Sequence, residues 1–467
     1  MSTPRTSRRL AALAGGVSLA LAAVGCTPPP EEGGGGNGGD GEGDGGTTTA
    51  EGCEAFEEYG DLSGSEISVY TSITAPEDQP HIDSYVQFEE CTGADVIYEG
   101  SREFEAQLPV RIQAGSAPDI AYIPQPGLLQ TIVNDFPDAV VPAGDMASEN
   151  VDQYFSEAWR GYGSVNDTLY GTPLGANVKS FVWYSPSMFS DAGYEIPETW
   201  DDLIALSDQI VEDGGTPWCA GIGSGEATGW PATDWLEDVM LRTAGPDVYD
   251  QWVNHEIPFD DPAVAEALET VGSILKNPDY VNAGWGDVQS IATTEFTEAG
   301  FPILDGECWL HRQASFYQAN WEEYQEDVEV AEDGDVFAFY LPAMDTEEQP
   351  LLGGGEFVAA FDDRPEVAAF QAFLASPEWA NAKIEATGPG WVSANTEQDT
   401  SLYASPIDQL SAELLADESR TFRFDASDLM PGAVGAGSFW EEMVNWIAND
   451  KANEDVLSAI EGSWPSS

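Results

Sequence analysis

Glu66-Ile67-Ser68-Val69-Tyr70-Thr71 alternates apolar and polar side chains with the two-residue period of a strand. Pro80 to Cys91 then carries Ile82, Tyr85, Val86 and Phe88 at helical spacing, facing inward, and Val96-Ile97-Tyr98 reads as a second strand. A strand, a helix and a strand at this distance predict a parallel pair, because parallel neighbours need a crossover that a helix supplies. Ligand contacts in such a unit lie past the carboxyl ends of the strands, which puts Ser72 to Glu77 in that position. Ser101 to Gly115 predicts a further helix that Pro109 shortens or kinks. Ala117-Pro118-Asp119-Ile120-Ala121-Tyr122-Ile123 follows as a buried strand, and Pro124-Gln125-Pro126-Gly127 turns over its end. The class is α/β.

The chain begins with an export signal over residues 1–25. Arg5, Arg8 and Arg9 precede an apolar run from Leu10 to Val24, and small residues lead to Cys26. The run is too short and too rich in Gly and Ala for a spanning helix. Ala23-Val24-Gly25-Cys26 resembles a bacterial lipoprotein box, with Ala23 where Leu is usual. That resemblance implies that Cys26 is acylated and becomes the mature N-terminus. The rest of residues 26–52 is Pro, Gly, Thr and acid with little to bury, a composition that predicts a disordered tether reaching roughly 25 to 30 Å.

Four cysteines remain, Cys53, Cys91, Cys219 and Cys308. An even count in an exported chain favours two disulfides over metal binding or free thiols, and three pairings are possible. Cys53 with Cys91 and Cys219 with Cys308 is preferred, because each pair then lies within one region of the chain.

The 467 residues hold 84 Asp and Glu against 15 Lys and Arg, a net charge of -69 that becomes -72 without the three arginines of the signal. Such a field repels nucleic acid and anionic lipid headgroups, slows capture of anionic solutes and leaves neutral ligands untouched. With 42% hydrophobic and 11% aromatic residues the chain still builds a sizeable core, so the acids form a solvated surface.

Gly229-Trp230-Pro231-Ala232-Thr233-Asp234-Trp235 sets a carboxylate and a hydroxyl between two indole rings. Flat apolar faces beside directional acceptors match the two kinds of surface on a sugar. Thr199-Trp200-Asp201-Asp202 opens a capped helix with Trp200, Leu203, Ile204, Ile210 and Val211 on its apolar face, ended by Gly214-Gly215. The preferred Cys219–Cys308 bridge would set Gly229 to Trp235 beside His311-Arg312-Gln313. Leu352-Gly353-Gly354-Gly355-Glu356-Phe357 reads as a glycine turn entering a strand, and Gly388-Pro389-Gly390-Trp391 as a ring on a turn. Phe439 to Ile460 has the helical spacing of a core segment.

No His-Glu-x-x-His, Cys-x-x-Cys or EF-hand loop occurs, so no metal and no cofactor is expected. Gly221-Ile222-Gly223-Ser224-Gly225 lacks the third glycine and helix of a dinucleotide fingerprint, and there is no Gly-x-Ser-x-Gly elbow. The chain reads as a binding protein and not an enzyme. Two rivals are a surface-anchored glycoside hydrolase, with Asp234 and Glu237 or Glu356 as acid and base, and a binding protein for a cationic solute.

"FEECTGADVIYEG" (88–100), "IQAGSAPDIAYIPQPG" (112–127), "NVKSFVWY" (177–184), "GWPATDW" (229–235) and "CWLHRQASF" (308–316) occur in order along the chain. Together they resemble the family 1 extracellular solute-binding proteins, specifically the carbohydrate-binding lipoproteins of ABC importers that take α-glucosides. The resemblance covers the chain from about Glu66 to its end. It implies two α/β lobes joined by a hinge that the chain crosses several times, with the ligand in the cleft. Lobe 1 would be residues 53–176 plus 351–388, and lobe 2 residues 177–350 plus 389–467.

The implied ligand is a neutral oligosaccharide, an α-glucoside, and the implied partner an ABC permease. The protein would be an extracytoplasmic monomer held to the outer face of the membrane by its N-terminal lipid alone, with no nucleic-acid partner. Trp230, Trp235, Trp285 and Trp391 would be the stacking faces. Asp234 would accept from vicinal hydroxyls, Arg102, Gln125, Lys179 and Gln313 would donate, and Ser72 and Glu356 are further contacts.

Self-repulsion across so acidic a surface weakens the fold at low ionic strength. The melting temperature is expected to rise as NaCl is raised from about 0.01 M, where charges act over about 30 Å, to about 1 M, where they act over about 3 Å. A flat salt profile in differential scanning calorimetry would contradict this.

Overall fold

The computed structural model describes residues 52–281, 286–344, 349–417 and 419–465. Cys26, the export signal, nearly all of the tether and Trp285 lie outside them. Thirteen strands are present among the described residues: β1 (Glu66–Thr71), β2 (Asp95–Gly100), β3 (Ile120–Ile123), β4 (Ser164–Val165), β5 (Thr168–Leu169), β6 (Gly171–Pro173), β7 (Asn177–Val178), β8 (Phe181–Tyr184), β9 (Leu310–Arg312), β10 (Phe337–Tyr340), β11 (Leu351–Gly354), β12 (Phe357–Ala360) and β13 (Phe422–Phe424).

The first lobe is built on a five-stranded sheet in the order β2-β1-β3-β12-β6, with β1 parallel to β2 and β3, and β12 antiparallel to both of its neighbours. The alternation in β1 divides its side chains between two layers. Ile67 and Val69 join Tyr85, Phe88 and Phe370 on one face, while Tyr70 packs with Phe104 and Leu108 on the other.

The crossover between β1 and β2 is not one helix. It breaks at Tyr85 into Asp78–Ser84 and Val86–Thr92. The break changes which residues face in. Tyr85 and Phe88 are buried, but Ile82 and Val86, expected inward, are 37% and 45% exposed. The next helix, Phe104–Gln113, runs through Pro109 without ending there.

The second lobe centres on the antiparallel sheet β10-β8-β9, flanked by the helices Trp200–Glu212, Trp230–Thr243 and Pro262–Leu275. The Thr199 cap forms as a reciprocal box: Thr199 Oγ1 accepts from the Asp202 amide, and Asp202 Oδ2 accepts from the Thr199 amide. Leu206 and Ser207 are buried on this helix beside Trp200, Leu203 and Ile210. Disulfides join Cys53 to Cys91 and Cys219 to Cys308, with Cα–Cα separations of 5.4 and 5.8 Å.

A three-stranded sheet in the order β13-β11-β7 lies where the chain passes from one lobe sheet to the other, first from β6 to β7 and again from β11 to β12. Ala176 bridges Val392 at the same level. Of Leu352 to Phe357, read from sequence as a glycine turn entering a strand, the first three residues belong to strand β11, and Phe357 opens β12 as expected. The glycines of β11 serve a close approach: a Cβ on Gly353 would stand 2.5 Å from the Phe422 ring and 2.6 Å from the Asn177 carbonyl.

Candidate functional site

The cleft is assembled at the ends of strands. Ser72 to Glu77 follow β1, Arg102 follows β2, Pro124 and Gln125 follow β3, and Gly355 and Glu356 precede the antiparallel β12, so all sit along one edge of the first sheet. The second lobe presents Trp230, Phe296, Phe316, Asn320 and Trp440 to the same space.

Trp230 opens the helix Trp230–Thr243, directly after Gly229 at φ 119. A Cβ on Gly229 would lie 2.4 Å from the Trp440 carbonyl oxygen, so glycine is required by both backbone conformation and space. Trp235 is five positions further, about 140° around the axis at about 100° per residue. The two indoles therefore part company. Trp230 lines the cleft edge-on to Phe296 at 4.9 Å, whereas Trp235 is 4% exposed and packs against Trp218 at 5.2 Å.

Asp234 is also inside. Lys179 Nζ donates to Asp234 Oδ1 at 3.0 Å and to Asp425, and lies 3.9 Å from Asp428. Arg312 donates to Asp238 at 2.8 Å and lies 3.5 Å from Asp234, and Arg242 also pairs with Asp238. Glu237 accepts from the amides of Ala426 and Ser427 at 3.1 Å each. Burial pushes the Asp234 and Glu237 carboxyls up, and Asp425 adds to the rise in both, whereas Lys179 leads the groups that hold Asp425 below its ordinary range. Asp234, Glu237 and Asp425 bring carboxylate oxygens within 4.8 Å of one another, but the Lys179 ammonium already lies against two of them.

The bridge Cys219–Cys308 does bring Arg312 beside Asp234 and over the Trp235 ring at 5.7 Å. What converges there is a buried ion network. Gln313, expected as a donor to ligand, is 1% exposed, and its Oε1 accepts from the Ala314 amide at 2.8 Å. Asp234, Trp235 and Gln313 thus lie beneath the cleft and do not line it.

Ser72, Arg102, Gln125, Lys179, Trp230 and Glu356 do line it, and Trp391 lines an adjoining chamber. Arg102 spans the mouth to Glu295 at 3.8 Å, with both side chains about half exposed, so the pair contributes about 1 kcal/mol or less. Gln125 Oε1, Asn177 Oδ1, Asn320 Oδ1 and Trp440 Nε1 are buried without a hydrogen-bond partner, and all four residues line the cleft. Buried polar atoms are nearly always satisfied, so such a cluster marks a place where a ligand or water completes the set.

The space has two connected chambers. The first holds about 210 Å3 of open room between Trp230 and Gln125, and the second about 380 Å3 around Trp391 and Lys383; both are bordered by Glu77, Asn177, Phe316 and Glu356. Sequence reading placed Ser72 to Glu77 at the strand end without singling out Glu77, and it missed Lys383 and Asp408. Burial, with Glu356 nearby, raises Glu77 to about 7. Burial raises Asp408 to about 7 and lowers Lys383 to about 7, against the pull of Glu77, Glu356 and Asp408 on the lysine. The scarcity of bases, 15 among 467 residues, was the available signal for Lys383.

A cleft between two α/β lobes, walled by aromatic faces and half-satisfied amides, with the chain crossing between the lobes more than once, defines a solute-binding protein. Residues 70–398 match the family model of the bacterial extracellular solute-binding proteins, and the chain belongs to that family. It is 37% identical over 417 residues to the osmoprotective compounds-binding protein GgtB of Synechocystis sp., spanning 88% of this chain and 96% of that one. It is 36% identical over 425 residues to the alpha-glucosides-binding periplasmic protein AglE of Rhizobium meliloti, spanning 88% and 90%. Among solved structures, the bacterial solute receptor AcbH superposes with a TM-score of 0.71 at 16% identity, over 85% of this chain and 98% of that one. Maltose-bound MalE3 of T. maritima does so at 0.64, again with 16% identity, over 85% and 98%. These structures share the two-lobed fold.

Replacing Lys179 with Met leaves Asp234 and Asp425 buried beside a neutral group, and breaking a buried pair in this way costs about 3–5 kcal/mol. Urea unfolding should read that loss, and a change below about 1 kcal/mol would show that the network does not support the fold.

Glu77 and Asp408 bind their protons more tightly folded than unfolded. Their contribution is therefore complete below the ordinary carboxylate range and is lost as pH rises through about 7. Lys383, depressed to about 7, acts only between there and its ordinary value of 10.5, so it does not oppose this trend in acid. Burial holds the His81 and His311 imidazoles below their ordinary value, so both oppose this trend as pH falls through about 6.5; the rise in melting temperature from about pH 7 toward 5 should be smaller in Asp408→Asn than in wild type, and identical pH profiles in thermal melts would refute this.

Proposed function

We propose that the chain is the substrate-binding component of an ABC importer, taking a neutral oligosaccharide, an α-glucoside, from outside the cell and delivering it to the permease. The observation that carries this reading is the wall of the cleft: Trp230, Phe296, Phe316 and Trp440 offer flat apolar faces, and the unpartnered amide oxygens of Gln125, Asn177 and Asn320 stand among them. A ring with hydroxyls at its rim uses both kinds of surface at once. The name of the relative at 36% identity, a binding protein for alpha-glucosides, supports the same class.

On this reading lobe 1 comprises residues 53–176 with 351–388 and lobe 2 residues 177–350 with 389–467. Ligand touching both lobes favours the closed cleft by its differential affinity, and closure is what the permease detects. Acylated Cys26 holds the protein to the outer face of the membrane through the tether, and the protein works as a monomer. Among the described residues no helix is long and apolar enough to cross a membrane. Asp234 and Glu237 are closed into the ion network beneath the floor, apart from Glu356 on the cleft wall, which counts against the pairing of Asp234 with Glu237 or Glu356 as a hydrolase acid and base.

A second reading, a cationic solute, draws on the carboxylates of Glu77, Glu105, Glu356 and Asp428 along the same wall. Maltose or trehalose should raise the melting temperature at saturation, and Trp230→Ala should weaken that ligand by about tenfold or more while lowering stability much less. A shift with choline, a cation, and none with any neutral sugar would favour the cationic reading. Equal losses of affinity and stability in Trp230→Ala would return that ring to the core.

A further inference from the structure

The second chamber holds a set of charged groups that do not satisfy one another. Lys383, on the helix Pro377–Thr387, is 1% exposed. Its ammonium has three donors. The bond found for it is to Thr387 Oγ1 at 2.6 Å, and it rests 5.0 Å from the centre of the Trp391 ring. Glu77, Glu356 and Asp408 act on it through space, yet among the described residues none of them comes within ion-pair distance.

The three carboxylates are not equivalent. Asp408 is engaged, accepting from Gln318 Nε2 at 2.6 Å and from the Gly390 amide at 3.0 Å. Glu356 accepts from its own amide, and no hydrogen bond to the Glu77 carboxylate is found among the described residues. Trp391 Nε1 is buried and unpartnered. The approach of these groups to the chain depends on Gly175, where a Cβ would stand 2.6 Å from Trp391 Nε1 and 2.8 Å from Glu356 Oε2.

Unused donors and unused acceptors therefore face a common void of about 380 Å3. Leaving such groups unmatched in a low-dielectric site is costly, and direct collapse onto one another is what an ion network ordinarily does, as Lys179 does beneath the first chamber. Here the groups are held apart. The occupant that matches them is one whose every polar atom both donates and accepts, which is the property of hydroxyls. The depression of Lys383 and the elevation of Glu77, both to about 7, are what charges without partners show.

We propose that this chamber is a second hydroxyl-recognition subsite, in which Lys383 donates to the ligand and Glu77 and Glu356 accept from it. Resting on the sugar reading above, it makes the solute a two-unit glycoside, with one ring against Trp230 and the other unit beside Trp391. Lys383 and Glu77 then determine the length of ligand accepted.

The test is isothermal titration of the full mature chain with maltose, trehalose and methyl α-glucoside, in wild type, Lys383→Met and Glu77→Gln. Wild type should bind a disaccharide about tenfold or more tighter than the single ring. Lys383→Met, at a position that lines the second chamber alone, should lose about tenfold or more for the disaccharide and stay within about twofold for methyl α-glucoside, whereas Glu77→Gln, at a position that borders both chambers, should lose clearly more for the disaccharide than for the single ring. Circular dichroism melts confirm folding, and Glu77→Gln, at a partly exposed position, keeps the test alive should Lys383→Met not fold. Unchanged disaccharide binding in a folded variant, or equal loss for both ligands, overturns the subsite alone. Failure of wild type to bind any of the three sugars overturns the sugar reading and the subsite with it.

Discussion

The cleft floor depends on one buried ammonium. Lys179 follows β7, where the chain first passes between the lobe sheets, and holds Asp234 from the helix behind Trp230 and Asp425 from the segment after β13. Three stretches distant in sequence are thereby fixed against one another at the hinge sheet. A hydrophobic side chain of similar volume would fill the space but could not neutralise those carboxylates, which are taken out of water by the same packing. The surrounding acids exceed the bases, since Asp234, Glu237, Asp238, Asp425 and Asp428 face Lys179, Arg242 and Arg312. Burial raises Glu237 and Asp428 well above the ordinary carboxylate range, with the neighbouring Asp425 adding to the rise in both.

This arrangement also explains how Trp230 comes to face the cleft. The helix that begins with it is held from below by Asp234 and Asp238, four and eight positions on and so on the same side of the axis, and from behind by Trp235 in the core. The Lys179 ammonium lies 5.5 Å from the Trp230 ring centre, so the ion network and the aromatic wall share an atom group. The rigidity of the wall and the neutralisation of the floor are the same interaction seen from two sides.

Much of the first lobe was legible because period-two alternation in Glu66–Thr71 and the buried run at Ile120–Ile123 are local signals that the sheet obeys. The break at Tyr85 was not, since apolar spacing across Pro80 to Cys91 fits one helix as well as two, and only packing against Phe370 and Phe373 chooses the inward face. The site was half legible. Ser72, Gln125, Trp230 and Glu356 stand at strand ends or a helix start, where local signals put them. The separation of Trp230 from Trp235 depends on the helix starting at Trp230 and not after it, a boundary that sequence fixes poorly. Nothing local joins Lys179 to Asp234 or Asp425, which lie 55 and 246 positions away. Lys383 was hidden for a similar reason, and Glu77, although inside the stretch Ser72 to Glu77 at the end of β1, was not singled out because among 84 acids a carboxylate acquires meaning only from what it fails to touch.

The global charge and the local cleft act on different properties of a ligand. A surface field set by a net charge of -69 selects by sign and acts over about 8 Å at physiological ionic strength, so it filters what approaches. It has no grip on a neutral molecule. Inside the cleft Glu77 and Glu356 are shielded by protein and raised in pKa, so they act as short-range hydrogen-bond acceptors whose geometry matters more than their charge. Lowering salt would strengthen the first effect and barely alter the second, because buried pairs are screened little. A receptor of this composition can therefore be strongly acidic outside and still hold an uncharged ligand by contacts that the exterior field does not disturb.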